Sequence, residues 1–303
     1  LLAADQRNDD VIWPYLSGQD LNSTPDCTAT RYIIDFQDWD LDRASRYPDC
    51  LEIVRARVKP GRDQLPDYKR RVRDNWWRFE HSAPSLRQAI RGLRRVIALT
   101  LHTKYVMPAL VSGGQVMSHG TAVIASEDYG LFGFMSSSFH YYWAVAFGSS
   151  LGESIRYTPT DVFETLPRPV MSGEVRHLGS HLDSIRSDVM NERRLGITSL
   201  YNLIHDPACM DSDVGRIRDA HKEVDAAVSL SYGWVDLADA VSDCGFYSTR
   251  QGVRYTFGSV FRQEILDRLL ELNHERYAAE QAAGKPGKGR PKTARGMQGE
   301  LFG

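Results

Sequence analysis

The sequence contains few cysteines and no long apolar segment. Its four cysteines are far apart and form neither a CxxC pair nor a Cys/His spacing typical of zinc sites. This argues against a disulfide framework and against a zinc module. We interpret the cysteines as reduced thiols of a cytoplasmic protein. No apolar run approaches the roughly 20 residues that a membrane span needs, so we expect no membrane association.

The usual motifs of nucleotide-binding and hydrolytic enzymes are absent as well. The chain has no GxGxxG, P-loop or GxSxG sequence. His177 and His181 have helical spacing but no third ligand is indicated, and Asp49, Asp67 and Lys69 imitate the nuclease PD...DxK spacing only superficially. We therefore expect no catalytic residue and no metal site in this chain.

Charge is unevenly distributed along the chain. Residues 1–54 hold 4 Arg/Lys against 11 Asp/Glu, whereas residues 55–95 hold 13 against 4. The basic segment contains "DYKRRVRDNWWRFE", where cationic side chains surround Trp76 and Trp77. A local basic surface of this kind is typical of phosphate-backbone binding. The alternative is that these arginines pair with the acidic segment that precedes them.

The pattern of elements predicts an α+β fold, with a mixed α/β region followed by a mainly helical one. "RYIIDF", "RVIALTL", "TAVIAS" and "LFGFMS" read as strands, and "SSFHYYWAVAFG" has helical apolar spacing. The prolines of "LPRPVMSG" mark the boundary, after which amphipathic helices dominate. We expect domains at 1–169 and 170–281, and a disordered Gly/Pro/Lys-rich tail at 282–303.

Several blocks of the sequence resemble a known family. They include "WPYLSGQDLNS", "RYIIDFQDWDLDRASRYPDCLEIVRARVKPGRD", "LFGFMSSSFHYYWAVAFGSSLGESIRYTPTDVFETLPRP" and "LLELNHERYAAE". Together the blocks run from about Val11 to Glu280 and are similar to the C-terminal half of MmeI-like DNA methyltransferases. This family includes the type IIL restriction-modification enzymes and related phage-defence methylases.

The resemblance implies that separate domains recognise the DNA target and transfer the methyl group. In that family the segment up to "FETLPRP" is the target recognition domain, and a helical C-terminal domain follows it. The adenine-N6 methyltransferase domain precedes both, and it carries the S-adenosylmethionine-binding glycine motif and an NPPY-type motif. This sequence contains neither motif and does not begin with methionine. We therefore expect part of a longer protein, with the methyltransferase in cis upstream or in trans and no cofactor in this chain.

A DNA-reading lobe needs phosphate contacts for grip and base-edge contacts for sequence choice. Our candidates for backbone binding are cationic residues of the basic segment: Arg62, Lys69, Arg70, Arg73, Arg87 and Arg91. At least one of the adjacent tryptophans is expected to be buried as a support for the arginines.

Two predicted loops, 112–120 and 148–158, are our candidates for base reading. Both carry small residues around groups that can hydrogen-bond a base edge: Gln115, Ser118, His119, Glu153 and Arg156. For Arg156 a salt bridge to Glu153 or Asp161 is an equal alternative.

The predicted function is sequence-specific recognition of double-stranded DNA within an adenine-specific methyltransferase, in a parent that could also cleave DNA. The alternatives are an autonomous, non-catalytic specificity subunit and an inactive fragment.

Overall fold

A computed structural model of the chain describes residues 1, 5–151 and 154–283. The strands in this part are β1 (Ile12–Leu16), β2 (Arg31–Ile34), β3 (Arg95–Thr100), β4 (His102–Thr103), β5 (Ala109–Ser112), β6 (Val116–Met117), β7 (Thr121–Ile124), β8 (Ser149–Leu151), β9 (Ser154–Arg156), β10 (Gly245–Thr249) and β11 (Gly252–Thr256).

The strands form small sheets with the orders β2-β1-β6, β5-β3-β7, β4-β9-β8 and β10-β11. The first sheet is mixed, because β1 pairs antiparallel with β2 and parallel with β6. The second and third are antiparallel, and β3 leads directly into β4, so that one stretch of chain contributes to both sheets.

The helices surround these sheets and dominate the second half of the chain. They are α1 (Gly18–Ser23), α2 (Leu41–Ala44), α3 (Pro48–Arg57), α4 (Lys59–Asp63), α5 (Arg70–Asp74), α6 (Pro84–Ile90), α7 (Tyr129–Ser136), α8 (Ser138–Phe147), α9 (Gly173–Arg193), α10 (Ile197–Ile204), α11 (Ser212–Tyr232), α12 (Val235–Asp239) and α13 (Ser259–Ala282). Short 3-10 turns cover Gln6–Asp10, Asp67–Lys69 and Ala240–Asp243. The α+β class is confirmed.

Local sequence explains where the main helices begin and end. The Ser17 hydroxyl and the Asp20 carboxylate form a capping box at the start of α1, and Ser172 accepts a hydrogen bond from Val175 at the start of α9. Gly233 ends α11 in the left-handed conformation that glycine adopts most easily.

The apolar core is continuous across the predicted boundary at residue 169. One cluster of buried side chains includes strand residues such as Leu16 and Ile97 together with helical residues as far along the chain as Leu269. A second, smaller cluster lies under the acidic and basic segments and contains Trp39, Val54 and Trp76. Of the tail predicted to begin at 282, all but the first two residues lie outside the described residues.

The segment "LFGFMS" is helical, and its prediction as a strand was wrong. It lies in α7, whose first turn is capped by the Asp128 carboxylate accepting from the Gly130 amide at 2.9 Å. Phe132, Phe134 and Met135 are all buried. An apolar run buried on every side shows no periodicity, and for this reason it could not be told from a buried strand.

Candidate nucleic-acid interface

Three sheets meet at Leu101, the residue between β3 and β4. Its amide donates to the Gly120 carbonyl at 2.9 Å, and its own carbonyl accepts from the Tyr157 amide at 2.7 Å. Close by, the Ser118 amide donates to the Leu16 carbonyl at 2.9 Å. Leu16 belongs to β1, so this bond connects the first sheet to the junction. The two segments predicted to read bases therefore lie on either side of one strand, within about 10 Å of each other at the usual strand spacing.

The first of these segments, 112–120, is more ordered than a free loop. Its middle forms β6, and its end is a tight turn in which the Ser118 carbonyl accepts from the Thr121 amide at 3.1 Å. Gln115 is 8% exposed and its Nε2 donates to the Ser112 carbonyl; Ser118 is also 8% exposed and its Oγ accepts from the Gly120 amide. Gln115 thus stabilises the turn before β6, and Ser118 stabilises the turn after it, which presents the exposed His119.

The second segment, 148–158, contains a β-hairpin rather than a loop. On β9, Arg156 lies directly opposite His102 of β4 on one side and Ser149 of β8 on the other. Opposite residues of antiparallel strands point to the same face of a sheet, and all three are exposed. They form a row of polar side chains, which we call the His102 row. Glu153, the remaining candidate of this segment, lies outside the described residues.

The opposite face of the same sheet is buried and rigid. Ile155 and Tyr157 are each 1% exposed. The Tyr157 hydroxyl contacts Nε2 of His140 at 2.9 Å, and Nδ1 of His140 lies 2.6 Å from the Met135 carbonyl. Because a carbonyl only accepts, Nδ1 carries the proton and Nε2 accepts from the tyrosine. This buried chain of hydrogen bonds holds the hairpin against α7 and α8.

Burial lowers the pKa of His140 to about 4. Its unfolded pKa is near 6.5, so the unfolded chain binds a proton that the folded chain excludes between these values. The contribution of neutral His140 to the free energy of unfolding is complete above pH 6.5 and is lost as the pH falls towards 4. We expect His140→Gln to remove up to roughly 3 kcal/mol of the decrease in unfolding free energy between pH 7 and pH 4.

Urea unfolding at several pH values measures this difference. His177 is exposed on α9, and His177→Gln is the matched control for the loss of an imidazole. Burial also lowers the pKa of His221 to about 4 and raises that of Asp225 to about 7. Some pH dependence therefore persists in the variant, and an unaltered slope in His140→Gln would contradict the assignment.

Most of the cations predicted to grip the DNA backbone are engaged within the protein. Lys69 pairs with Glu80 at 3.1 Å, Arg70 with Asp74 at 3.3 Å, and Arg73 with Asp67 at 3.2 Å. Arg62 is half-buried and donates to the Val72 carbonyl, and burial lowers its pKa. The carboxylates of these pairs come from within the basic segment itself.

Arg87 is held differently from the other candidates. Its guanidinium forms an ion pair with Asp35, whose side chain is fully buried, and it also donates to the Ser82 carbonyl at 2.7 Å. Removing the partner of a buried charge is costly. Asp35 belongs to the acidic segment, so Arg87 pairs with that segment, as the alternative interpretation of the charge pattern predicts. Its role is structural.

Arg91 differs from the other five candidates in being exposed without a carboxylate partner in the described residues, and it shares this property with Arg71 and Arg94. Arg71 lies on α5, and the other two lie on the connection between α6 and β3. Such side chains can contact a phosphate without first breaking an ion pair.

The adjacent tryptophans belong to the small core cluster. Trp76 is buried, and Trp77 Nε1 donates to the Trp39 carbonyl at 2.8 Å. The Arg55 and Arg78 guanidinium groups lie 5.8 and 5.3 Å from the Trp76 and Trp77 ring centroids. The expected burial of one tryptophan is confirmed, but the arginines over the two rings are Arg55 and Arg78 and not the six candidates.

A sequence model of one protein family, described as "MmeI, target recognition domain", matches residues 1–170 of the chain. The match covers more than half of the sequence. The chain belongs to this family. The resemblance inferred from the sequence blocks is thereby confirmed.

A search of solved structures agrees with this family on the fold. The chain is similar to a type IIL restriction-modification enzyme, MmeI, solved in complex with DNA, with a TM-score of 0.63 and 16% identity. The similarity covers 91% of this chain and 32% of that one, so the chain spans about a third of the enzyme's length. A search of curated proteins finds no match.

In this member of the MmeI target recognition domain family, sequence reasoning missed three exposed residues: His102, Arg71 and Arg94. His102 follows an apolar strand and could have been noticed as the first polar residue after it. Arg71 and Arg94 look the same in sequence as their paired neighbours, so no signal separated them. Among the described residues there is no group of three His, Cys, Asp or Glu side chains suited to a metal ion, and no helix there is long and apolar enough to span a membrane.

Proposed function

We propose that this chain reads the sequence of double-stranded DNA as the target-recognition part of an adenine-N6 DNA methyltransferase, in a restriction-modification or phage-defence system. Membership of the MmeI target recognition domain family supports this proposal, as does the fold shared with an enzyme solved on DNA. The observation that carries it is the row of exposed polar side chains at the junction of three sheets.

The His102 row has dimensions suited to a DNA groove. Its three strands span about 10 Å, and the major groove is about 12 Å wide. Arg156 can donate two hydrogen bonds to a guanine, and His102 and Ser149 can bond neighbouring base edges. His119 lies beside this row at the tip of the Ser118–Thr121 turn. The buried face behind the row keeps these side chains in place, as selective hydrogen bonding requires.

Grip on the phosphate backbone comes from the basic segment. Arg71, Arg91 and Arg94 have no carboxylate partner in the described part of the chain, so they can contact phosphates directly. Lys69, Arg70 and Arg73 remain candidates, because an exposed ion pair contributes only about 0–1 kcal/mol and can be exchanged for a phosphate contact. The family resemblance supplies the rest of the proposal: a methyltransferase domain in cis or in trans that binds S-adenosylmethionine and receives the adenine once it is flipped out of the duplex. The buried free thiols are compatible with the cytoplasm.

Replacing Arg156 with alanine is expected to change which duplex the chain prefers. Loss of a bidentate base contact reduces discrimination at one or two base pairs by about 1–3 kcal/mol, while binding to random duplex changes little. Selection from a randomised duplex library, followed by sequencing, measures the preference. Arg216→Ala, an exposed arginine on α11, is the matched control. An unchanged consensus in Arg156→Ala would remove Arg156 from the reading surface.

The salt dependence of binding distinguishes grip from structure. The triple variant Arg71→Ala/Arg91→Ala/Arg94→Ala is expected to flatten the slope of log K against log salt by about one unit per lost phosphate contact. Lys69→Ala/Arg70→Ala/Arg73→Ala should flatten it less, because those side chains must first leave a carboxylate. Fluorescence anisotropy with one duplex at several salt concentrations gives both slopes. Equal slopes in wild type and the first variant would show that other residues make the phosphate contacts.

A further inference from the structure

The connection 104–108 joins β4 to β5 and is bonded to the helical half of the chain near both of its ends. The Lys104 carbonyl accepts from the guanidinium of Arg254 on β11 at 2.8 Å. The Pro108 carbonyl accepts from the guanidinium of Arg186 on α9, also at 2.8 Å. Arg254 is 2% exposed and Arg186 is 3% exposed. Two buried arginines from the helical half therefore hold the main chain of this connection.

Tyr105 packs among the same elements. Its ring stacks on that of His205 with 5.2 Å between the centroids, and the guanidinium carbon of Arg254 lies 4.4 Å from the Tyr105 centroid. The Tyr105 hydroxyl donates to the side chain of Asn202 on α10. Nδ1 of His205 accepts from the Tyr255 amide of β11 at 3.1 Å. Side chains thus join the connection, α10 and β11 in one packed unit.

Val106 has a backbone conformation that its own side chain disfavours. Its φ is 49°, in the left-handed region, and the residue is fully buried. A β-branched residue seldom adopts this conformation, and it keeps it only where the surrounding structure imposes it. The contacts of Tyr105 and Pro108, on either side of Val106, are with the helical half. The helical half therefore determines the path of the chain after β4.

β4 has only two residues, so its own pairing holds it weakly. It pairs with β9 through two residue pairs, one of which is His102 opposite Arg156. Short pairs of strands are marginally stable without further support. The hydrogen bonds of Leu101 hold the start of β4. The bond from Arg254 to the Lys104 carbonyl holds the chain just after its end.

We propose that Arg254 is a positioning residue for base reading, which holds the end of β4 so that His102 and Arg156 stay aligned on one face. This inference rests on the proposed function of the His102 row. Arg254 is buried, so it acts through the Lys104 carbonyl and not by contact with DNA. The helical half thereby contributes to the choice of DNA sequence, although none of its side chains belongs to the row.

Replacing Arg254 with methionine tests this role. Methionine has an unbranched apolar side chain that can still pack on the Tyr105 ring, but it cannot donate to the Lys104 carbonyl. The substitution removes a buried charge and leaves none unpaired, so the variant should fold. We expect the preference for the selected duplex over random duplex to fall about tenfold, the effect of misplacing one base contact. Affinity for random duplex should not change, because phosphate contacts supply it.

Two further variants separate positioning from general stability. Arg254→Lys restores a donor to the Lys104 carbonyl and should recover most of the preference. Arg193→Met is the matched control, since Arg193 links α9 to α11 through ion pairs with Asp211 and Asp213 at 2.8 and 2.6 Å. It should lower the melting temperature and leave the preferred duplex unchanged. Equal losses of preference in Arg254→Met and Arg193→Met would overturn the proposal.

Hydrogen exchange in the free chain distinguishes this inference from the proposed function. In Arg254→Met the amides of Thr103 and Ile155, which face each other across β4 and β9, should exchange about tenfold faster whether or not the row reads DNA. Unchanged exchange at both amides would refute the positioning role. If wild type itself prefers no duplex, the proposed function fails, and these exchange rates still show whether Arg254 holds β4.

The preferred duplex gives the other comparison. If Arg156→Ala changes it and Arg254→Met does not, the proposed function stands and the positioning role is wrong. If Arg254→Met does not fold, Tyr105→Phe takes its place. That variant removes only the hydroxyl bond to Asn202, and we expect a smaller loss of preference, about threefold. A wild-type preference in Tyr105→Phe would then contradict the proposal.

Discussion

Replacing Gly179 with alanine is expected to destabilise the chain by about 3 kcal/mol, because α7 and α9 cross at glycines. A Cβ at this position would overlap the Tyr129 carbonyl oxygen and lie 3.1 Å from both the Cα and the amide nitrogen of Gly133. These are backbone atoms of a buried helix, so relief requires the two helices to move apart. This crossing joins the mixed α/β part to the helical part, so the substitution should destabilise both parts.

The matched control for this change is Gly215→Ala in the interior of α11. No atom lies within 4 Å of a Cβ built there, and alanine favours a helix over glycine by up to about 1 kcal/mol. We therefore expect Gly215→Ala to be neutral or stabilising. Chemical denaturation of both variants measures the two changes in unfolding free energy. Equal effects of the two substitutions would show that the α7–α9 crossing tolerates a larger separation than its geometry indicates.

Replacing Arg218 with alanine is expected to cost about 2–6 kcal/mol, because two buried carbonyls are left without a donor and each costs about 1–3 kcal/mol. The side chain is buried on α11 and donates to four carbonyls, those of Leu203, Ile204, Asp206 and Cys209, at 2.9 to 3.1 Å. These carbonyls end α10 and form the turn after it, where the Asp206 amide also donates to the Leu203 carbonyl and the Cys209 amide to the Asp206 carbonyl. Without the guanidinium the carbonyls of the buried residues Ile204 and Cys209 have no donor among the described residues.

Arg216→Ala provides the comparison, since Arg216 is exposed two residues earlier on the same helix. Its loss should change the unfolding free energy by less than about 0.5 kcal/mol. The guanidinium of Arg218 also lies 5.0 Å from the Phe246 ring centroid and 5.5 Å from that of Tyr255, so the variant should loosen the β10–β11 hairpin. Hydrogen exchange at the hairpin amides would show this. Similar stability in the two arginine variants would refute the network role.

The sequence predicted the amphipathic helices well because their burial follows a regular spacing. The stripe through Phe139, Tyr142 and Trp143 forms the buried face of α8 as expected. The β10–β11 hairpin was not predicted, since it sits within a region whose other elements are helical. The prediction of a loop at 148–158 is wrong because the two strands there have three residues each, too few to show a period.

The sequence predicts which segments carry groups able to bond a base edge, but not which of those side chains are exposed. Both segments predicted to read bases lie beside Leu101, yet Gln115 and Ser118 are buried, while His102 from outside these segments lies opposite the exposed Arg156. Hydrogen-bonding capacity can be read from residue type. Whether a side chain instead forms a hydrogen bond with the nearby backbone depends on the conformation of the turn.

The sequence by itself determined the family, the α+β class and the presence of a strongly basic segment, because these depend on residue identity, order and local periodicity. Only the tertiary structure decided which arginines are paired with carboxylates. Arg87 pairs with Asp35, which lies 52 residues away in the chain, whereas Arg91 has no such partner among the described residues. Ion pairing depends on distances between side chains, and the fold sets those distances.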